Sequence, residues 1–200
     1  MATGAGDGKT MSRPAVFLDR DGAITREVDY LRDVKQLRLL PRAAAAIREF
    51  NQSGYAVVIV SNQSGIARGL LTEDDLARIH AVMLARLARH GARLDAIYYC
   101  PHLPDATVAA YRKRCACRKP APGMLRRAAR ELDLDLARSY VIGDRARDLE
   151  PGRQLGCATV LVRTGYGAQE AEAWRGPWRP DHTAATLAAA VTWVLGRTTL

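Results

Sequence analysis

Short apolar segments rich in β-branched residues alternate along this chain with longer segments of helical periodicity, and this alternation most constrains its fold. The clearest strand is the run YAVVIV at positions 55–60. Predicted strands lie at 15–18, 55–60, 96–99, 140–143 and 159–162. Predicted helices lie at 43–50, 72–90, 122–132, 148–156 and 184–195, the second with a capping box between Thr72 and Asp75. The pattern predicts an α/β fold with a mostly parallel sheet flanked by helices.

The length of 200 residues, with 48% apolar and 26% charged residues, indicates a single domain. We interpret residues 1–12, which are Gly-rich and polar, as a flexible N-terminal tail and residues 13–200 as the domain. No run of about 18 apolar residues occurs, which excludes a transmembrane helix. Because no secretory signal is recognisable, we expect the four cysteines to form no disulfides and the protein to be cytoplasmic.

The formal net charge of +9 raises the possibility of an anionic partner such as a nucleic acid or a phosphorylated substrate. The basic residues are nearly all arginines, and they are spread over the predicted helices rather than gathered in one run. We interpret most of this charge as solvated helix faces. A nucleic-acid-binding module remains a minor alternative, and a membrane partner is not expected.

Polar residues follow three of the predicted strands, in segments 19–22, 61–65 and 144–148. In an open parallel sheet, residues just past the carboxyl ends of the strands line the ligand crevice. Asp19 and Asp21 are either a polar strand end leading into a turn, or a nucleophile and its acid/base partner in phosphoryl transfer.

Three further segments add groups suited to phosphate chemistry. Ser61 offers a hydroxyl to phosphate oxygens, and Lys119 offers a positive charge to a phosphoryl group. Asp144 is a suitable Mg²⁺ ligand, and Asp148 either lies in the outer coordination sphere or orients the lysine. Each of these segments alone is weak evidence.

Together and in this order, DRDG at 19–22, Ser61, Lys119 and GDRARD at 143–148 resemble the haloacid dehalogenase (HAD) superfamily of phosphohydrolases, over about residues 15–162. The resemblance implies a doubly wound sheet with no large cap domain. It also implies Asp19 as nucleophile, Asp21 as general acid/base, and phosphoryl stabilisation by Ser61 and Lys119. The implied Mg²⁺ ligands are Asp19, Asp144 and Asp21, the last through its backbone carbonyl.

A second metal site is indicated by Cys100 and His102 followed by Cys115 and Cys117. Three thiolates and one imidazole form a closed tetrahedral set, which is typical of structural rather than catalytic Zn²⁺. We refer to residues 100–117 as the Cys/His loop. Because Lys119 follows two residues later, a metal bound there is expected to fix the lysine at the site.

This combination resembles the small, cap-less sugar-bisphosphate phosphatases of the superfamily, whose substrates include heptose 1,7-bisphosphate. The matching text is FLDRDG at 17–22, NQSGIARG at 62–69, CPH at 100–102 and CACRKP at 115–120. The resemblance implies Mg²⁺-dependent removal of the 7-phosphate in nucleotide-heptose biosynthesis. The implied substrate contacts are Arg20, Glu27, Tyr30, Asn62, Gln63, Ser64, Arg118 and Arg145. The chain departs from the family pattern at Ala23, where Thr or Val is common, and at Arg145, which is usually Lys.

Two other hydrolase activities stay open as alternatives. Histidinol-phosphate phosphatases share the framework and a zinc loop, but they act on a monophosphate with a cationic amine. An arginine-rich rim therefore favours the bisphosphate. A hydrolase acting on nucleic-acid ends is a weaker alternative within the same superfamily.

Minor features yield further expectations. The segment WRGPWRP at 174–180 is expected to pack the last helix onto the sheet, or else to form an oligomer contact, although we expect a monomer. His80, His90 and His182 are expected at the surface or on helix faces, Leu84 and Leu87 in the core, and Cys157 as a buried apolar residue.

Overall fold

The computed structural model describes residues 12–198, so residues 1–11 of the predicted tail lie outside the described part. Six parallel strands form one sheet in the order β3-β2-β1-β4-β5-β6. The strands are β1 (Arg13–Leu18), β2 (Ala56–Asn62), β3 (Ala96–Cys100), β4 (Leu134–Gly143), β5 (Ala158–Val162) and β6 (His182–Ala184). The α/β class and the parallel sheet are thus confirmed.

Helices cover both faces of the sheet. They are α1 (Ala43–Gln52), α2 (Ser64–Ala67), α3 (Glu73–Ala88), α4 (Gly123–Glu131), α5 (Ala146–Gln154), α6 (Gly167–Ala173) and α7 (Leu187–Thr198). Alternate residues of each strand enter opposite cores, because successive side chains of a strand point to opposite faces. Val16 and Leu18 join the core beneath α1, α3 and α7, whereas Phe17 joins the core beneath α4 and α5.

The strand order reverses between β1 and β4, which are neighbours in the sheet although two strands separate them in sequence. Phe17 pairs with Val141 and Leu18 with Ile142, so the two strands end side by side. A crevice opens at such a reversal because the crossover connections leave in opposite directions. The residues that follow β1 and β4 are therefore brought to one place by the topology. No helix within residues 12–198 is long and apolar enough to cross a membrane.

The C-terminal region differs from the expectation. Ala184 ends the short strand β6, and the last helix begins at Leu187 rather than at 184. The predicted packing of the Trp/Pro segment is wrong. Trp174 is buried in the core beneath α4 and α5, whereas α7 packs on the opposite face of the sheet. The rings of Trp174 and Trp178 meet edge to face, with their centroids 4.8 Å apart. The physical reason is that α6, which precedes this segment, crosses on the same face as α5.

Helix α3 meets some of the expectations and differs from others. Its capping box is present, with the Asp75 backbone N–H donating to Thr72 Oγ1 at 3.1 Å. The buried face contains His80 beside Ile79 and Met83, so His80 lies on a helix face, which is one of the two places expected, and not at the surface. Leu87 is buried as expected, but Leu84 is 40% exposed because the buried stripe passes one residue to its side.

Candidate active site

A buried lysine links the ends of three strands. Lys119 Nζ lies 2.6 Å from Asp19 Oδ1, just past β1, and 2.8 Å from Asp148 Oδ1, in α5. It also donates to the Val60 carbonyl of β2 at 2.8 Å. The contact with Asp148 is one of the two roles that the sequence left open. Asn62 fixes the lysine backbone from β2, because its amide both donates to the Lys119 carbonyl and accepts from the Lys119 N–H.

The electrostatics of this cluster indicate a cation site. Burial, and then the charge of Asp148, raises the pKa of Asp144, and burial likewise raises that of Asp19 despite the opposing effect of Lys119. Burial favours the neutral amine of Lys119, but Asp148 and Asp19 raise its pKa, so it stays charged. Carboxylate oxygens of Asp19, Asp144 and Asp148 lie within 4.8 Å of one another. Three carboxylates around one lysine leave excess negative charge, and hard oxygens fit Mg²⁺.

The Asp144 carboxylate is held in a tight glycine-lined niche. Gly22 has a φ of 85° and Gly165 a φ of 56°, and a Cβ atom on either residue would overlap Oδ2 of Asp144. The backbone N–H of Tyr166 donates to the same oxygen at 2.8 Å. The turn after β1 therefore needs glycine both for its backbone conformation and for the close approach of Asp144.

Asp21 is held by an unusually complete set of donors. Arg20 donates to both carboxylate oxygens, at 3.0 Å from Nε to Oδ1 and 2.7 Å from the terminal nitrogen to Oδ2. Thr25 donates to Oδ1 at 3.1 Å and Gln63 to Oδ2 at 3.2 Å. Burial opposes the shift, but the charge and hydrogen bonds of Arg20 hold the pKa of Asp21 below its ordinary value. Gln63 also donates to Ser61 Oγ at 2.8 Å.

A cavity of about 270 Å³ opens above these carboxylates. The structure brings all eight predicted substrate contacts to its wall, namely Arg20, Glu27, Tyr30, Asn62, Gln63, Ser64, Arg118 and Arg145. Asp19, Asp21, Ser61 and Asp144 line it as well, whereas Lys119 lies beneath the wall, 2% exposed.

Among the residues to which the sequence assigned no role, Arg147 and Tyr166 also line the cavity. Arg147 extends from the first turn of α5, and Tyr166 lies beneath the guanidinium of Arg145, whose carbon is 3.5 Å from the ring centroid. The position of Arg147, three residues after Asp144, is a signal that was available in the sequence. Tyr166 follows β5 outside any recognisable motif, so only the fold identifies it. Arg68 and Arg118 complete a rim of four arginines with Arg145 and Arg147.

The four members of the Cys/His set converge beside this cavity. Sγ of Cys117 lies 3.1 Å from that of Cys100 and 3.2 Å from that of Cys115, and His102 Nδ1 is 3.3 Å from Cys117 Sγ. Their ligand atoms all fall within 4.8 Å of one another, as a single metal ion requires. The set of three thiols and one imidazole fits tetrahedral Zn²⁺.

The Cys/His loop is tied to the active-site elements. The Val108 N–H donates to the Ala67 carbonyl of α2 at 3.0 Å, and the Tyr111 hydroxyl donates to Glu73 of α3 at 2.8 Å. Arg118 donates to the His102 carbonyl at 3.2 Å. The loop therefore contacts both the helix after β2 and the rim arginine that precedes Lys119.

Comparisons with known proteins agree with this geometry. Residues 116–190 match the HAD-hydrolase-like family. A D-glycero-beta-D-manno-heptose-1,7-bisphosphate 7-phosphatase of Yersinia pestis is 44% identical over 157 residues, which are 78% of this chain and 84% of the relative. A D-glycero-D-manno-heptose-1,7-bisphosphate 7-phosphatase of Thermosynechococcus vestitus is 43% identical over 189 residues, covering 92% and 96%.

A solved structure shows the same architecture. The D,D-heptose 1,7-bisphosphate phosphatase of B. bronchiseptica, in complex with magnesium and phosphate, has a TM-score of 0.83 and 39% identity, covering 92% of this chain and 99% of that one. Strand order, site geometry and these similarities converge on one assignment: the chain belongs to the HAD-like family of heptose-bisphosphate phosphatases.

Proposed function

We propose that this protein is a Mg²⁺-dependent phosphatase that removes the 7-phosphate of D-glycero-D-manno-heptose 1,7-bisphosphate in nucleotide-heptose biosynthesis. The observation that carries the proposal is the buried Asp19–Lys119 pair at the end of β1, 2.6 Å apart, beneath a cavity with an arginine rim. The names of the relatives support the substrate.

The first chemical step transfers the phosphoryl group to the protein. An Asp19 carboxylate oxygen attacks phosphorus while the bond from phosphorus to the sugar oxygen breaks. Asp21, which the free protein holds ionised, must take up a proton when substrate binds, and it donates that proton to the leaving oxygen. In the second step, water attacks phosphorus, Asp21 takes a proton from the water, and the bond to Asp19 breaks to release phosphate. Lys119 and Ser61 stabilise the charge on the phosphoryl oxygens throughout.

Asp19 and Asp144 would hold Mg²⁺ through their carboxylates, and Asp21 through its backbone carbonyl. When bound, Mg²⁺ offsets the negative charge of the carboxylates and the phosphoryl oxygens. Asp148 is engaged with Lys119, which supports a role in orienting the lysine rather than as a direct ligand.

The arginine rim supports a bisphosphate over a substrate with a cationic amine. Arg118 and Arg145 present guanidinium groups to the cavity, which also contains the exposed Arg147. A second phosphate is attracted by such a rim, whereas the amine of histidinol phosphate is repelled. We propose that Glu27, Tyr30 and Ser64 contact the sugar.

We propose a structural Zn²⁺ held by Cys100, His102, Cys115 and Cys117, with residues 13–200 forming one catalytic domain. We also propose that the protein acts in the cytoplasm as a monomer. None of the four cysteines forms a disulfide, which is compatible with a reducing compartment.

The substrate assignment is tested by phosphate release with Mg²⁺, comparing heptose 1,7-bisphosphate with histidinol phosphate at equal concentration. We expect a higher kcat/KM for the bisphosphate and one phosphate released per molecule. An Arg118→Ala variant should raise KM for the bisphosphate more than for a monophosphate, because only the bisphosphate has a second phosphate that Arg118 can bind. A preference for histidinol phosphate would overturn the substrate assignment.

A further inference from the structure

Arg20 is the largest fully buried side chain of the described residues, 1% exposed, although it lies in the motif next to the nucleophile. Burying a guanidinium is costly unless its donors are paired, so its surroundings indicate its role. The resemblance assigned Arg20 a substrate contact, and the proposed function gives it no other role.

All three nitrogens of the guanidinium are already engaged inside the protein. Nε donates to Asp21, one terminal nitrogen donates to Asp21 at 2.7 Å and to Gln63 Oε1 at 3.1 Å, and the other lies 3.3 Å from His80 Nε2. With these partners in place, the guanidinium is poorly placed to bind substrate.

His80 contacts the terminal nitrogen of the Arg20 guanidinium that does not bind Asp21. An arginine N–H only donates, so the Nε2 atom of His80 must accept, and the ring is neutral with its proton on Nδ1. The His80 ring is buried on α3. It meets the Tyr99 ring of β3 edge to face, with the ring centroids 6.1 Å apart. Helix α3 and the sheet thereby hold the guanidinium in one position.

We propose that Arg20 is a positioning residue that aims the Asp21 carboxylate, and that His80 holds Arg20 in place. This inference rests on the proposed role of Asp21 as general acid/base. The paired bonds from Arg20 and the bond from Thr25 restrict rotation of the short Asp21 side chain. A freely rotating carboxylate would spend less time within reach of the leaving oxygen.

The test exploits the different needs of two leaving groups. A sugar alkoxide leaves poorly and requires a proton from Asp21, whereas p-nitrophenolate leaves without one. The ratio of kcat/KM for an alkyl phosphate to that for p-nitrophenyl phosphate therefore reports acid catalysis in the first step. The alkyl phosphate is whichever of heptose 1,7-bisphosphate and histidinol phosphate the wild type hydrolyses better. A general loss of folding lowers both values together and leaves the ratio unchanged.

Asp21→Asn shows how far the ratio falls when the proton donor is removed, and we expect it to lower the ratio by about 100-fold. Arg20→Met should lower the ratio by about 10-fold, and His80→Leu should lower it by a smaller factor in the same direction. His80→Gln, whose amide oxygen can accept from Arg20, should restore the ratio. His90→Leu is the matched control, since His90 is exposed just beyond α3, and it should leave the ratio unchanged.

An unchanged ratio in Arg20→Met, with a lowered ratio in Asp21→Asn, would overturn the positioning role alone. An unchanged ratio in Asp21→Asn would instead refute the acid/base assignment and the positioning role with it. Thermal melting of each variant establishes that a folded protein is compared.

Discussion

At the scale of single residues, buried charge distinguishes the active site from the rest of the core. The charged residues buried there, each at most 8% exposed, are Asp19, Arg20, Lys119, Asp144 and Asp148. Among residues 12–198, no buried side-chain nitrogen or oxygen lacks a hydrogen-bond partner. Because paired buried charges add little net stability, their concentration at one end of the sheet is best explained by chemistry.

His80 should make stability depend on pH. Burial, and then the charge of Arg20, lowers its pKa from 6.5 to about 4, while Asp21 opposes the shift and Tyr99 covers the ring. Between these pH values the unfolded chain binds the proton more readily. The contribution of His80 to the free energy of unfolding is therefore complete above pH about 6.5 and is lost as the pH falls towards 4.

Urea unfolding at pH 7.5 and pH 4.5 measures this contribution. Relative to His80→Leu, the wild type should lose about 2 kcal/mol of its free energy of unfolding between the two pH values. His90→Leu should follow the wild type. An equal pH dependence in His80→Leu and the wild type would show that His80 does not titrate in this way.

Residue identity at the site was largely predictable because the chemistry requires particular groups at strand ends. Asp19, Ser61 and Asp144 could be placed from the motifs that follow their strands. The burial of His80 was missed because a single polar residue in an apolar stripe looks like a helix-face residue. The bonds from Arg20 to Asp21 were missed because a motif shows which side chains are adjacent but not where they point.

At the scale of elements, the turn after β1 is the most constrained segment. Gly22→Ala should lower kcat by at least about 100-fold, because its Cβ would displace the Asp144 carboxylate. Gly54→Ala is the matched control, since Gly54 has the same φ of 85° but open space around it. It should cost about 1 kcal/mol of stability from backbone strain and leave kcat unchanged. Equal kcat losses in the two variants would contradict the steric account.

The Cys/His loop should lose both metal and activity when one ligand is removed. Cys117→Ser is expected to bind less than one zinc per chain, melt at a lower temperature and show a kcat/KM about 10- to 100-fold lower, because Arg118 and Lys119 follow the loop directly. Cys157→Ala, which removes a buried thiol outside the set, should retain the metal. Elemental analysis with parallel kinetics checks this, and a zinc-free protein of full activity would refute the link.

Element boundaries were predictable where apolar periodicity was long and failed where it was short. The strand β2 and the helix α3 carry unambiguous patterns with clear caps. The strand β6 has three residues, too few for any period, and its Ala184 merged with the apolar stretch that leads into α7. The helix α4 was recognisable, but the cis peptide bond that precedes Pro120 was not.

At the scale of the whole molecule, one topological feature unites the site. The sequence places Asp19 and Asp144 125 positions apart, yet the reversal of strand order makes β1 and β4 neighbours. The alternation of strands and helices predicts the parallel sheet, but it does not determine strand order. The net charge of +9 likewise did not reveal that four arginines form the rim of one cavity.

The most direct test of the account is rapid-quench trapping of the phosphorylated protein with heptose 1,7-bisphosphate and Mg²⁺, followed by peptide mass spectrometry. The wild type should carry one phosphoryl group on Asp19, and Asp19→Asn should carry none, with a turnover at least about 1000-fold lower and an unchanged melting temperature. Full turnover in Asp19→Asn, or phosphorylation of a different residue, would contradict the account.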